Sequence, residues 1–465
     1  MKYIFMFLLL GIAGFAAAQD SLNMRKLARW DNPDVPKENS SIGLRYNEVW
    51  GWASPVTGRE YAIIGASTGA YIVDVTEPTK PFQADYVPGR SGNVINRDYK
   101  SKGNYVFALA DQQLGSLQVW DMSTLPDSVH VVYDGLISDK DGKDTFNLSH
   151  NMFVEGDRLY IVTPKVFGQT TVYGYGVMDI SKPEKPVLIK LYPESVFGRV
   201  HASFVRHDTA YIHAGGNGFF IVDMHDLDNP IVLSHLQNYA YSGYNHTGWL
   251  NEAGNGYMMA DETRKTPVKI LEMSDKTDPK FISYLYPHGN PADTNSVPHN
   301  QFWVGQYGFN SYYYDGVQIY DLSDPYYPKI AGYYDTYPQP YDGKFKGCWG
   351  VYPFLPSKHI LASDMQTGLY ILEFEPFAHS VDANTIVIYP NPLESEVLHV
   401  KINTPLENLT VRIYDMIGKE ILAQSEGYKT SDMTVFVPNL PLGMYLLQVS
   451  QGSNLVATGK FWVQK

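Results

Sequence analysis

The chain has 465 residues, enough for more than one folded unit, and 44% of them are hydrophobic. Its 36 tyrosines and 21 phenylalanines favour strands, because flat aromatic side chains fit a pleated, half-buried surface. A net charge of -13 with no Lys/Arg cluster excludes nucleic acid as a partner, and a single cysteine, Cys348, excludes an internal disulfide.

The N-terminus reads "MKYIFMFLLLGIAGFAAAQ", with one lysine, an apolar run to Phe15 and Ala16-Ala17-Ala18 before Gln19. This pattern predicts a secretory signal peptide over residues 1–18, cleaved after Ala18. The run is too short for a membrane-spanning helix, so none is expected in the mature chain. No cysteine follows it, so lipid anchoring is not indicated. Export from a Gram-negative bacterium through the periplasm is the expected route.

One unit then recurs seven times. It reads "YAIIGASTGAYIVDVTEPTKP" from Tyr61, "YVFALADQQLGSLQVWDMSTLPD" from Tyr105 and "LYIVTPKVFGQTTVYGYGVMDISKPEKP" from Leu159. Further copies start at Ala210, Tyr257, Ser311 and His359. Each alternates apolar and polar residues over two short runs with a turn between them, which is the period of strands. Most copies close on an acid followed by Ser or Thr and then Pro. The acids Asp74, Asp121, Asp179, Asp223, Glu272, Asp321 and Glu373 are expected to accept backbone N–H groups and organise turns.

A repeat of about 48 residues made of strands suits a four-stranded propeller blade. The fold class is therefore all-β, a seven-bladed β-propeller over residues 19–377. The last copy stops at Phe374 without an outer strand, and "MRKLARW" at Met24 to Trp30 is a stray one. It is expected to close blade seven and remove a free edge.

The phrases "VWGWASPVTGREYAIIG", "GAYIVDVTEPTKP", "HTGWLNE" and "GCWGVYPFLPSKHILASDMQTGLYIL" resemble the choice-of-anchor B family, whose members carry LVIVD-type propeller repeats. The resemblance covers residues 22 to 375. It implies an exported propeller with an interchangeable sorting tail, and it implies no particular reaction.

A linker at 378–385 separates the propeller from "IVIYPNPLESEVLHVKI", "LTVRIYDMIGKEIL" and "LPLGMYLLQVSQGSNLVATGKFWVQK". These alternating runs predict a small Ig-like β-sandwich over residues 386–465. Its Tyr389-Pro390-Asn391-Pro392 segment, the turn from Tyr414-Asp415 to Gly418-Lys419, Gly443-Met444-Tyr445 and the last strand resemble the C-terminal sorting domain of the type IX secretion system. That resemblance implies the type IX secretion machinery as a partner and a secreted or outer-membrane-surface location.

Upstream of each copy, one column holds Glu48, Asp98, His150, His201, His246, His299 and Trp349. Rotational repetition maps one column onto one radius, so these side chains are expected to ring the channel. Three readings stay open for the four histidines: locks between neighbouring blades, ligands of a divalent metal in the channel, or an acid/base group. A second metal candidate is "SDKDGKDTFN", where Asp139, Asp141 and Asp144 surround Gly142 as in an oxygen-rich calcium loop, although no glutamate follows at the EF-hand position. "AGGNGFF" has no helix after it and reads as a strand turn.

Two functions fit. The first is a binding or interaction module for a protein or glycan ligand, with aromatic stretches such as "FNSYYYDG" either stacking on sugars or filling the core. The alternative is a metal-assisted hydrolase or lyase centred on the histidine ring. No cofactor other than a channel metal is suggested.

Overall fold

The computed structural model describes residues 21–464 apart from 113, 114, 116, 143, 144, 167, 169, 289–295, 377–385, 394, 395, 416–418 and 453. The signal peptide, the linker and Asp144 lie outside the described residues. The chain divides into two units, one ending at Phe374 and one starting at Glu375.

In the first unit, alternating apolar and polar residues form antiparallel strands in seven sheets of the same plan. The first sheet runs in order through Tyr46–Ala53, Glu60–Ala66, Gly69–Asp74 and Phe82–Pro88. The innermost strands of the next six are Arg97–Lys102, Met152–Glu155, Ala202–Arg206, Asn245–Leu250, Pro298–Val304 and Cys348–Tyr352. Successive innermost strands touch, and the last touches the first, so the sheets close a ring in the manner of a β-propeller.

Met24–Trp30 supplies the fourth strand of the seventh sheet by pairing antiparallel with Gly368–Phe374. An Arg25–Glu373 ion pair of 2.6 Å lies on that seam. A further short strand, Ser21–Leu22, extends the sixth sheet.

Neighbouring sheets are held together by apolar packing. Apolar clusters lie between neighbours, as where Trp52, Tyr61 and Ile63 of the first sheet meet Val106 and Trp120 of the second. An equivalent cluster joins the seventh sheet to the first through Leu361, Leu369, Ile64 and Val73. Each such side chain contributes about 1.5–3 kcal/mol when fully buried.

The strand-end acids organise turns. Asp74, Asp121, Asp179, Asp223, Glu272 and Asp321 each accept the N–H two residues on, at 2.8–3.0 Å. Glu373 instead pairs with Arg25.

A small extra sheet of Ile137–Ser138, Thr145–Leu148 and Lys165–Val166 interrupts the second and third sheets. It accounts for the extra length of the third sequence copy.

The second unit holds a three-stranded sheet (Val387–Tyr389, Val397–Leu406, Thr430–Phe436) and a four-stranded sheet (Glu420–Glu426, Leu409–Tyr414, Gly443–Gln451, Asn454–Val463). Both contribute to one apolar core that includes Leu398, Val435, Leu447 and Phe461. Among the described residues, no helix is long and apolar enough to cross a membrane.

Candidate functional site

The start of each innermost strand and the end of the second strand lie at the same end of an antiparallel sheet. Side chains from both places therefore meet at one mouth of the ring. There His150, His201, His246, His299 and Trp349 line a cavity of about 360 Å³. The residues directly after the second strands of sheets two, three, five and six, Asp111, Thr163, Glu262 and Tyr313, line it as well.

Three histidines repeat one geometry. Nδ1 of His201 lies 3.1 Å from the His246 carbonyl oxygen, Nδ1 of His246 lies 2.9 Å from that of His299, and Nδ1 of His299 lies 2.6 Å from that of Trp349. A carbonyl oxygen only accepts, so Nδ1 carries the proton in each ring and Nε2 keeps its lone pair. Each imidazole thus ties its sheet to the next and offers a ligand atom from its other side.

Nε2 of His246 lies 3.6 Å from Oε2 of Glu262. Donor atoms of His201, His246 and Glu262 all fall within 4.8 Å of one another. Ligands at about 2.0–2.1 Å from a tetrahedral ion sit about 3.3 Å apart, so a small contraction brings these three onto one ion.

His150 completes the cluster. Its Nδ1 lies 2.7 Å from Asp111 Oδ2, and its Nε2 lies 2.7 Å from Nε2 of His201. An ionised carboxylate and the His201 lone pair both accept, so His150 would have to donate at both ends. One cationic equivalent, a proton or a metal ion, satisfies the chain Asp111–His150–His201.

Burial sets the electrostatics. It holds His201 and His246 well below the usual histidine range, with neighbouring imidazoles adding to the effect. Burial likewise pushes His299 down to about 3. The Glu262 carboxyl is raised by burial, opposed by the Tyr313 hydroxyl that donates to it at 2.5 Å.

Gly215, with a φ of 54°, lets the fifth sheet approach the mouth: a Cβ there would meet the Tyr244 ring at 2.7 Å. Its N–H and carbonyl exchange hydrogen bonds with Asn245, next to His246. The "AGGNG" segment is a turn that seats Tyr244 and His246.

Two members of the sequence column do not join the histidines. Glu48 and Asp98 are not among the residues that line that mouth.

Glu48 and Asp98 line a separate cavity with Trp50, Lys100, Trp249 and Gln301. Asp98 pairs there with Lys100 at 2.6 Å, and Glu48 accepts from Asn300 Nδ2 at 2.9 Å. The calcium-loop candidate is an exposed turn in which Asp139 accepts the Asp141 N–H at 3.1 Å.

Glu262, Asp111 and Tyr313 escape a sequence reading that follows the histidine column. Their signal is a second column, the residue closing each second strand, and it is visible once strand ends are fixed.

Comparison with known proteins bears mainly on the second unit. Residues 387–464 match the family model of the secretion system C-terminal sorting domain. That unit is a type IX sorting domain, so the protein is secreted or displayed on the outer surface and engages the secretion machinery. A curated relative, a funoran endo-beta-hydrolase from Wenyingzhuangia aestuarii, is 32% identical over 83 residues, covering 18% of this chain. The match spans only 11% of that enzyme.

Among solved structures, the extracellular domain of a putative hybrid two component system from B. thetaiotaomicron is similar with a TM-score of 0.50 and 12% identity. The similarity covers 95% of this chain and 57% of that one. The β-propeller domain of Myceliophteria thermophila Swd1 has a TM-score of 0.46 and 12% identity over 68% of this chain and 93% of its own.

Proposed function

We propose that the chain is a seven-bladed β-propeller of the choice-of-anchor B type, carried through the periplasm of a Gram-negative bacterium by its signal peptide and exported by an Ig-like sorting sandwich. At one mouth of the channel it binds a ligand through a divalent cation held by His201, His246 and Glu262. The observation that carries this reading is the division of labour within each ring. The Nδ1–H bonds to carbonyls fix tautomer and orientation in advance, as the outer partners of metal-bound histidines do.

Binding is favoured over proton transfer by magnitude. A general base works best with a pKa near the working pH, and burial leaves His299 at about 3. A metal-assisted hydrolase or lyase is the second reading. It is supported by the Asp111–His150 pair, a carboxylate-oriented imidazole facing the same space.

The test is metal analysis of protein purified without a histidine tag. The wild type should carry about one divalent ion per chain, and Glu262→Gln should lose it with its circular dichroism unchanged. Glu262 makes no inter-sheet carbonyl bond of the histidine kind, so this variant separates ligand loss from loss of the ring. A metal-free wild type after exposure to zinc, manganese and calcium would defeat the reading.

A further inference from the structure

We infer that the mouth of the channel takes an acidic oligosaccharide, a chain of sugars bearing carboxylate or sulfate groups, laid in a groove that runs outward from the histidines. The inference deepens the binding function proposed above and rests on it for the net charge of the pocket.

The groove is longer than the metal cluster requires. The cavity of about 360 Å³ continues into a second of about 420 Å³, and the two share Asp111, Leu148 and Lys165. Together they fall within the size of ordinary ligand sites, and the second is lined by none of the four histidines, so the space extends beyond the metal cluster and suits a chain better than a single compact group.

The lining selects the kind of chain. Ser40, Asn93, Asn96, Gln112, Ser149 and Thr163 supply amides and hydroxyls along both cavities. Oδ1 of Asp111, on the shared wall, is buried and has no hydrogen-bond partner. Such a surface matches sugar hydroxyls and offers little to the apolar side chains of a peptide. Tyr244, 39% exposed beside His201, gives a ring on which a sugar can stack.

Charge selects the acidic members. Lys165 and Arg199 are exposed on the cavity wall and make neither an ion pair nor a hydrogen bond among the described residues. Against these two cations stand three carboxylates, Glu38, Asp111 and Glu262. A divalent ion then leaves the pocket with a net positive charge, and an anionic ligand neutralises it.

The experiment is calorimetric titration of the metal-loaded full chain with four probes: an oligogalacturonate, a sulfated galacto-oligosaccharide, a neutral galacto-oligosaccharide and oligo-glutamate. At least one acidic sugar should bind about tenfold more tightly than the neutral sugar and than oligo-glutamate. Lys165→Ala and Arg199→Ala should each remove about fivefold or more of that affinity with metal content unchanged. The inference is overturned if the neutral sugar binds equally, if oligo-glutamate binds best, if no probe binds, or if neither variant weakens binding.

Metal content measured on the same samples separates the two claims. A bound ion without acidic preference defeats the groove alone. Acidic preference without a bound ion upholds the groove and defeats the cation site.

Discussion

His246 donates from Nδ1 to the carbonyl oxygen of His299 across 2.9 Å, and the receiving residue belongs to the next sheet of the ring. Tying sheets together and offering a ligand atom are therefore compatible roles for one imidazole. The arrangement predicts a single tautomer. Nitrogen-15 NMR of histidine-labelled protein at neutral pH should show protonated Nδ1 and unprotonated Nε2 for His201, His246 and His299. Protonation at Nε2 in any of the three would contradict the assigned geometry.

The ring is closed by a strand from the far end of the sequence. Met24–Trp30 covers Gly368–Phe374, and Trp30 packs against Tyr46 and Tyr71 at 6.2 and 5.2 Å. Deleting residues 21–30 should expose that edge, lower the melting temperature by about 5 °C or more and promote aggregation. Thermal unfolding of the deletion beside the intact chain measures it, and equal melting temperatures would show that the strand does not hold the ring.

The strands and their turns were legible because both signals are local. Alternation has a period of two, and an acid caps the N–H two residues away, as Asp179 does for Ser181. Register was harder to read. The hairpin between first and second strands is long at Ala53 to Glu60 and tight at Lys102 to Tyr105, so counting from one element does not fix the next. Glu48 and Asp98 fit the spacing of the histidine column, yet they line a different cavity. Glu262 and Asp111 join the histidines only through the antiparallel return of the second strand, which is a tertiary relationship.

Behind the ligand residues lies a buried ion pair. Lys269 Nζ is 2.8 Å from Asp261 Oδ2, and neither side chain reaches solvent. Asp261 also accepts from Tyr239 at 2.8 Å and from Asn245 at 2.9 Å, so it anchors the residues before both Glu262 and His246. Lys269→Met would leave a carboxylate buried without its cation and should cost about 3–5 kcal/mol. The double variant with Asp261→Asn should recover part of that loss. Urea denaturation gives both values, and a loss below about 1 kcal/mol for the single variant would contradict the pairing.

The cavity that holds Glu48 makes a prediction about pH. Two carboxylates, Glu48 and Asp98, share it with one ammonium, Lys100, whose nitrogen also lies 4.6 Å from the Trp50 ring centre. Burial raises Glu48 to about 7, Asp98 adds to the rise and Lys100 opposes it. The fold thus prefers the protonated carboxyl, whereas the unfolded chain ionises it near the ordinary glutamate value. A raised acid contributes stability that is full below the unfolded pKa and is lost as pH climbs through the folded one. The window therefore opens near 4.5 and closes near 7, and the effect is on the order of 3 kcal/mol. Glu48→Gln keeps an oxygen to accept from Asn300 and removes the titration. Other groups titrate in the same range, so the informative quantity is the difference between wild type and variant. Urea denaturation at about pH 5 and about pH 8 should show the wild type losing stability relative to Glu48→Gln as pH rises. A difference that stays constant, or that grows in the wild type's favour, would mean that Glu48 is already ionised in the folded protein at low pH, with Lys100 close enough to stabilise its charge.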